Sequence, residues 1–273
     1  MAWIDEIKGN LGKYKEKRYP ALSDGEYNHK GKTHYLSHIF PRICSCLNLL
    51  ETYRDDFLKS NFAKITFHKY FHHLNSSQAM CINFFYPLIQ EKKLEIILEN
   101  IELSGEEANY DSIEFEKESC IDKRNGEKPT NFDFFFKTKL GKELYFEIKY
   151  TENKFGTAIK NTAHNDKYNN IYKNAAKNTI NPDYNNCDSF LTNYQIMRNL
   201  IHISDNSYVV FIIPKNNKYV KNQADKAKDF VVRKHKDKVK VLYWDCLYEL
   251  FDHEKYEGNL KAQFEEFKDK YHL

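Results

Sequence analysis

Nine glycines and six prolines in 273 residues are too few for a long flexible hinge, and no repeat, low-complexity tract or Gly/Ser-rich linker interrupts the chain. One main domain with terminal additions is therefore expected. Long hydrophobic runs are missing as well: a stretch such as Tyr208-Val-Val-Phe-Ile-Ile-Pro214 falls far short of the ~20 residues needed to span a bilayer. The opening Met1-Ala-Trp-Ile-Asp-Glu has no basic flank leading into an apolar segment, so neither a membrane span nor a secretory signal is expected. Six cysteines are scattered through a chain too long to need disulfide staples, which suits reduced thiols in a cytoplasm. The patterns GxxxxGK, GxGxxG and GxSxG do not occur. ATPase, dinucleotide oxidoreductase and serine hydrolase readings thus lack support, and no nucleotide cofactor is expected.

Charge of one sign is scarce overall, with 42 basic and 39 acidic residues giving +3, but it is unevenly placed. Glu91 to Asp122 holds eleven acidic and three basic residues, whereas Pro214 to Lys240 holds ten basic and three acidic. Two solvated faces explain this, and so does a phosphate-facing stripe in the later segment. The richness in Asn, Lys, Ile, Tyr and Phe matches an AT-rich coding sequence, which raises the lysine count without functional cause.

With 41% hydrophobic and 15% aromatic residues a sizeable core can form. Helical periodicity runs from Ile43 to about Asn61, then from Gln78 behind an Asn75-Ser76-Ser77 cap, with Pro87 limiting or kinking that helix, and then from Lys92 to Leu103. After Gly105 the period drops to two. Three consecutive strands are read around Ile113–Glu116, Asn131–Phe136 and Leu144–Tyr150. Helices over 165–177 and 191–203, a buried strand at Tyr208, helices around 225–234, a last strand at Val239–Tyr243 and two C-terminal helical pieces complete the order α-β-β-β-α-β with helices added at both ends.

The hairpin from Thr130 to Tyr150 is the most specific feature. A three-residue loop Lys139-Leu140-Gly141, with Gly141 in the left-handed position, sets a register in which facing residues sum to 280. Asp133 then faces Glu147, and Lys149 lies on the same face two residues on. Directly opposed carboxylates repel across ~5 Å. A hard divalent cation offsets that repulsion, since Mg²⁺ favours one or two carboxylates together with water and phosphate oxygens. An exposed, charged hairpin face is the alternative reading of this spacing. The flanking Phe132, Phe134, Phe136, Phe146 and Ile148 argue for a central sheet instead.

Asp133 followed by Glu147-Ile148-Lys149 resembles the PD-(D/E)xK nuclease superfamily, whose core has the same α-β-β-β-α-β order. Phe71-His-His-Leu-Asn-Ser-Ser-Gln78, Thr130-Asn-Phe-Asp133, Glu147-Ile-Lys-Tyr-Thr-Glu152 and Phe155-Gly156 are similar, more narrowly, to a bacterial group of restriction endonucleases; that likeness covers about Ile65 to Ile213. The resemblance implies a restriction-endonuclease-like α/β fold with a central mixed sheet flanked by helices, plus N- and C-terminal helices. It suggests a helical extension over 1–75, a core over 76–250 and a helical tail over 251–273, packed as one domain. It implies hydrolysis of DNA phosphodiesters leaving a 5′-phosphate and a 3′-hydroxyl. Mg²⁺, with Mn²⁺ as substitute, would be held by Asp133, Glu147 and the backbone carbonyl of Ile148, while Lys149 assists the attacking water.

Two positions depart from the family pattern. Phe132 stands where proline is usual, at a place that supplies no ligand. Many members also carry a Glu on the first core helix, where this chain has Gln78, so Gln78 substitutes for it or Glu91 or Glu95 serves instead, and the metal count stays open. Glu152 orients Lys149 or caps the next helix. Lys154, Lys160, Lys167, Tyr168, Gln195 and Arg198 are candidates for lining a DNA groove, although Gln195 and Arg198 also fit an exposed polar face. His68 and His72, spaced i,i+4, lack an HExxH setting, and Cys44-Ser-Cys46 lacks a second ligand pair. Cutting both strands of a duplex usually calls for two active sites, which a homodimer supplies. A non-catalytic DNA-binding or protein-interaction module retaining the fold is the alternative function, and RNA or branched DNA the alternative substrate.

Overall fold

The computed structural model describes residues 2–123, 129–250 and 256–272. By contacts the chain forms two compact units, one of Met1–Leu94, Pro214–Asn217 and Tyr243–Leu273 and the other of Glu95–Ile213 and Lys218–Leu242. The first five residues of the expected 251–273 tail lie outside the described residues. Among the described residues no helix is long and apolar enough to cross a membrane.

In the first unit, helices are accompanied by a hairpin of β1 (Gly25–His29) and β2 (Lys32–Leu36), which helical periodicity does not foreshadow. Its central helix, Ser77–Gln90, starts where expected: the Ser76 side chain accepts from Ala79 N, and every residue from Gln78 to Ile89 is buried. Pro87 does not end this helix. Its missing N–H would leave the carbonyl of Asn83 without a partner, and Gln263 Nε2 donates to that oxygen at 2.9 Å. The helix expected over Ile43–Asn61 breaks in two, a 3₁₀ segment Arg42–Asn48 and an α-helix Glu51–Lys59, because Leu49 and Leu50 are extended. The cause is Asn83, whose Oδ1 captures Leu50 N at 2.9 Å. Phe84, Trp244, Phe264 and Phe267 form the aromatic heart of this unit.

The second unit carries a five-stranded mixed sheet in the order β3 (Ala108–Glu118), β4 (Asn131–Thr138), β5 (Glu143–Ile148), β6 (Ser207–Ile213), β7 (Val239–Tyr243). β3–β4 and β4–β5 pair antiparallel and β5–β6 parallel. All seven residues of β6 are buried, as its continuous apolar run requires of a strand covered on both faces. Helices at Thr162–Lys167, Lys173–Ala175, Cys187–Thr192 and Tyr194–Leu200 lie between β5 and β6 in the chain. The helix expected over Lys92–Leu103 shortens to Glu95–Asn100. Lys92 and Glu102 turn into the left-handed region at its two ends, while Leu94, Ile97, Leu98 and Ile101 form the buried stripe read from the periodicity. This mixed α/β sheet with helices added at both ends is the fold class that the sequence implies.

Candidate active site

The β4–β5 hairpin has the register its turn dictates. Thr138 N donates to Lys142 O and Gly141 N to Thr138 O, with Gly141 at φ +83°. Phe134 faces Phe146, Phe135 faces Tyr145, Phe136 faces Leu144 and Lys137 faces Glu143, each pair summing to 280. Past Phe134–Phe146 the ladder gives way to side-chain chemistry. Ile148 N donates to the carboxylate of Asp133 at 2.6 Å, and Lys149 N turns to β6, donating to Ile212 O at 2.9 Å. Asp133 and Glu147 therefore meet where backbone pairing ends and main-chain groups become available to side chains.

Glu147 is buried and fully engaged. Its Oε1 accepts from Lys149 Nζ and from Gln195 Nε2, each at 2.6 Å, and its Oε2 accepts from Asn199 Nδ2 at 3.0 Å. The Gln195 side-chain carbonyl accepts from Gly156 N at 2.9 Å, and Gln195 N donates to Gly156 O at 3.0 Å, so one residue ties Glu147 to the chain leaving β5. Lys149 Nζ also lies 5.4 Å from the centre of the Phe155 ring. Burial opposes its charge, but Glu147, Glu152 and Asp133 together raise its pKa above the ordinary lysine value. Asp133 shows the converse: burial and the facing Glu147, with Glu116 adding, push its carboxyl well above the usual carboxylate range against the pull of Lys149 and of Ile148 N–H.

Glu116 is a neighbour that periodicity does not single out. It falls between the pairs Phe115–Phe134 and Lys117–Phe132, opposite Asp133, and its φ of +55° is rare for a residue with a side chain. Asn131 Nδ2 donates to Glu116 Oε2, while Asn131 Oδ1 is buried with no hydrogen-bond partner among the described residues.

The other candidates divide. Gln195 joins the site through Glu147. Arg198 points elsewhere: its Nε and Nη2 donate to Asp122 at 3.1 and 2.8 Å, and its guanidinium stacks on Tyr194. Glu152 accepts from Tyr150 N at 2.6 Å and adds to the field on Lys149, whereas the next helix, Thr162–Lys167, is capped by Asn161. Tyr168 is buried with its hydroxyl on Asn185, Lys167 Nζ sits 5.8 Å from the Tyr172 ring centre, Lys160 pairs with Asp188, and Lys154 is exposed. Gln78 belongs to the first unit, where its amide holds His68 N and Thr66 O. Glu91 accepts from the Tyr53 hydroxyl, and Glu95 from Ala108 N and the Tyr110 hydroxyl.

Among the described residues no three His, Cys, Asp or Glu side chains converge to hold a metal ion by themselves. The donor set on the hairpin nevertheless suits Mg²⁺, a hard cation that takes one or two carboxylates and leaves its remaining positions to water and substrate. The crowding of Asp133 by Glu147 is a charge excess that such a cation would relieve.

A carboxylate pair and a lysine thus meet at the end of a hairpin in a mixed sheet. The family model described as Restriction Endonuclease associating with ARP matches residues 7–272, and the chain belongs to this restriction-endonuclease family. No curated protein and no solved structure matches it.

Proposed function

We propose that the chain is a metal-dependent endodeoxyribonuclease of the PD-(D/E)xK type acting in restriction or defence, with Asp133, Glu147 and Lys149 as its reactive group. The observation that carries this reading is Lys149 bonded to Glu147 at 2.6 Å beside Asp133, all three at the point where β4 and β5 part. Mg²⁺, or Mn²⁺ in its place, would be held by Asp133, Glu147 and the carbonyl of Ile148 and would supply a Lewis acid for a phosphoryl oxygen. Lys149, kept protonated by its carboxylate neighbours, is a donor: it orients the attacking water and stabilises negative charge developing on the phosphate. Gln195 and Asn199 fix the rotamer of Glu147, and Glu152 steadies the turn behind Lys149. Duplex cleavage would take two such sites, which a homodimer brings together. The six unpaired thiols suit a cytoplasmic setting.

The test incubates the full-length protein with unmethylated DNA of diverse sequence, with Mg²⁺, Mn²⁺ or EDTA, beside Glu147→Ala, Glu147→Gln and Lys149→Ala. Metal-dependent fragments that fall at least about a hundredfold in each variant, with DNA binding in EDTA retained, support the nuclease. Unchanged cutting in all three variants overturns the assignment of the site. Metal-independent DNA binding without any cleavage favours a non-catalytic module that keeps the fold.

A further inference from the structure

The first unit holds a concave site unrelated to the hairpin carboxylates. A cavity of about 330 Å³ opens between the 3₁₀ segment Arg42–Asn48 and the loop Phe67–His72, at the lower end of the size range of small-molecule sites. Its walls are fixed by buried amides rather than left as loose loop. Asn48 Nδ2 donates to Phe71 O and His73 O at 2.6 and 2.7 Å, and Gln78 holds Thr66 O and His68 N from the central helix. Lys270, fully buried, in turn donates to the Asn48 main-chain and side-chain oxygens.

The lining is cationic and aromatic. Arg42, His68, Lys69 and His72 contribute to it, and no carboxylate is among its lining residues. Neither Arg42 nor Lys69 has an ion-pair partner among the described residues, and both are exposed. Phe67 and Phe71, with ring centres 4.5 Å apart, form an apolar wall. His72, itself buried, completes the lining.

We propose that this cavity binds a small phosphorylated ligand of nucleotide size, its phosphate met by Arg42 and Lys69 and its flat apolar part by Phe67. Arginine and lysine around a pocket free of carboxylates select an anion, and the guanidinium fork matches phosphate oxygens. At about 330 Å³ the cavity is too small to take in a duplex, and the aromatic wall suits a base. Glycine-loop fingerprints report phosphate binding by main-chain amides; the donors here are side chains from two separate segments, which form no short motif.

The experiment titrates the full-length protein in EDTA by calorimetry with inorganic phosphate, AMP, ATP and a single-stranded oligothymidylate, so that nuclease activity plays no part in the readout. Saturable one-to-one binding of AMP or ATP, weakened tenfold or more in Arg42→Gln and in Lys69→Gln but not in the exposed control Lys261→Gln, which does not line the cavity, is the expected result. Both test positions are exposed, and unchanged circular dichroism verifies their fold. No saturable binding of phosphate, AMP or ATP at millimolar concentration overturns the proposal. So does binding indifferent to Arg42→Gln and Lys69→Gln, or binding confined to the oligonucleotide.

Discussion

Two aspartates lie near opposite ends of the segment that leads into β4, and their surroundings are reversed. Asp122 is fully buried and accepts from Thr130 N, Thr130 Oγ1, the Tyr172 hydroxyl and both Nε and Nη2 of Arg198. Burial alone would raise its pKa, but Thr130 N–H and Arg198, with the two hydroxyls, hold its carboxyl well below the usual range. Asp133 accepts from Ile148 N and faces Glu147, with Glu116 opposite, and its carboxyl is pushed up. An acid supplied with donors on every side holds a structure together. One set against other acids is kept at a cost in stability, which the proposed function accounts for as the place a cation is to occupy.

The sharpest way to break this contrast is to empty the Asp122 position. Asp122→Ala leaves Arg198 partly buried with its carboxylate partner gone, and Thr130 and Tyr172 without their acceptor, a loss of about 3–5 kcal/mol. Thermal denaturation should show a fall in Tm on the order of 10 °C. The conservative Asp122→Asn isolates the charge. Because the folded pKa of Asp122 is depressed, its stabilisation is complete above the ordinary carboxylate pKa of ~3.9 and is lost as pH falls below it. Asp122→Asn should therefore be less stable than wild type at pH 7, with the gap closing in acid; a gap that widens in acid would refute the pairing.

Smaller effects are expected one layer behind the proposed reactive residues. Gln195→Ala removes a bond to Glu147 and the tie to Gly156, and Asn199→Ala removes the second donor to Glu147. Loss of such supporting partners costs about 10–100-fold in metal affinity or activity. Titration with Mn²⁺ should show the change in the metal concentration giving half-maximal cleavage, and an unchanged midpoint in both variants would deny them a positioning role.

These supporting residues also show where sequence reasoning stops. The hairpin is local, so one glycine and an alternation of apolar residues suffice to set its register and to bring Asp133 against Glu147. Gln195 and Arg198 share a helix at i,i+3 and look like one polar face, yet the helix turns Gln195 and Asn199 towards Glu147 and Arg198 towards Asp122. Which partner each meets depends on how that helix packs on a sheet whose β3, β4 and β5 lie more than forty residues earlier. Glu116 was hidden for a different reason: alternation assigns it to the outer face, whereas a positive φ at a strand position is invisible in composition. Asn83, which breaks one helix and supports another across its proline, acts through contacts 33 and 180 residues distant.

The smallest expected effect is on stability, and it tests the Asp133 half of the contrast. With its folded pKa raised, Asp133 destabilises the folded state at neutral pH, and stability recovers as pH falls through the raised pKa towards the ordinary carboxylate value. Asp133→Asn keeps the shape and an acceptor oxygen for Ile148 N–H while removing the charge, so the metal-free variant should melt a few degrees above wild type at pH 7 and coincide with it in acid. A divalent cation relieves the same excess: at ten times its Kd it stabilises by about 1.4 kcal/mol, so Mg²⁺ or Mn²⁺ should raise the wild-type Tm and leave Asp133→Asn nearly unmoved. Equal cation shifts in both proteins would place the ion away from Asp133. A variant less stable than wild type at pH 7 would mean that Asp133, like Asp122, is an acid the fold depends on.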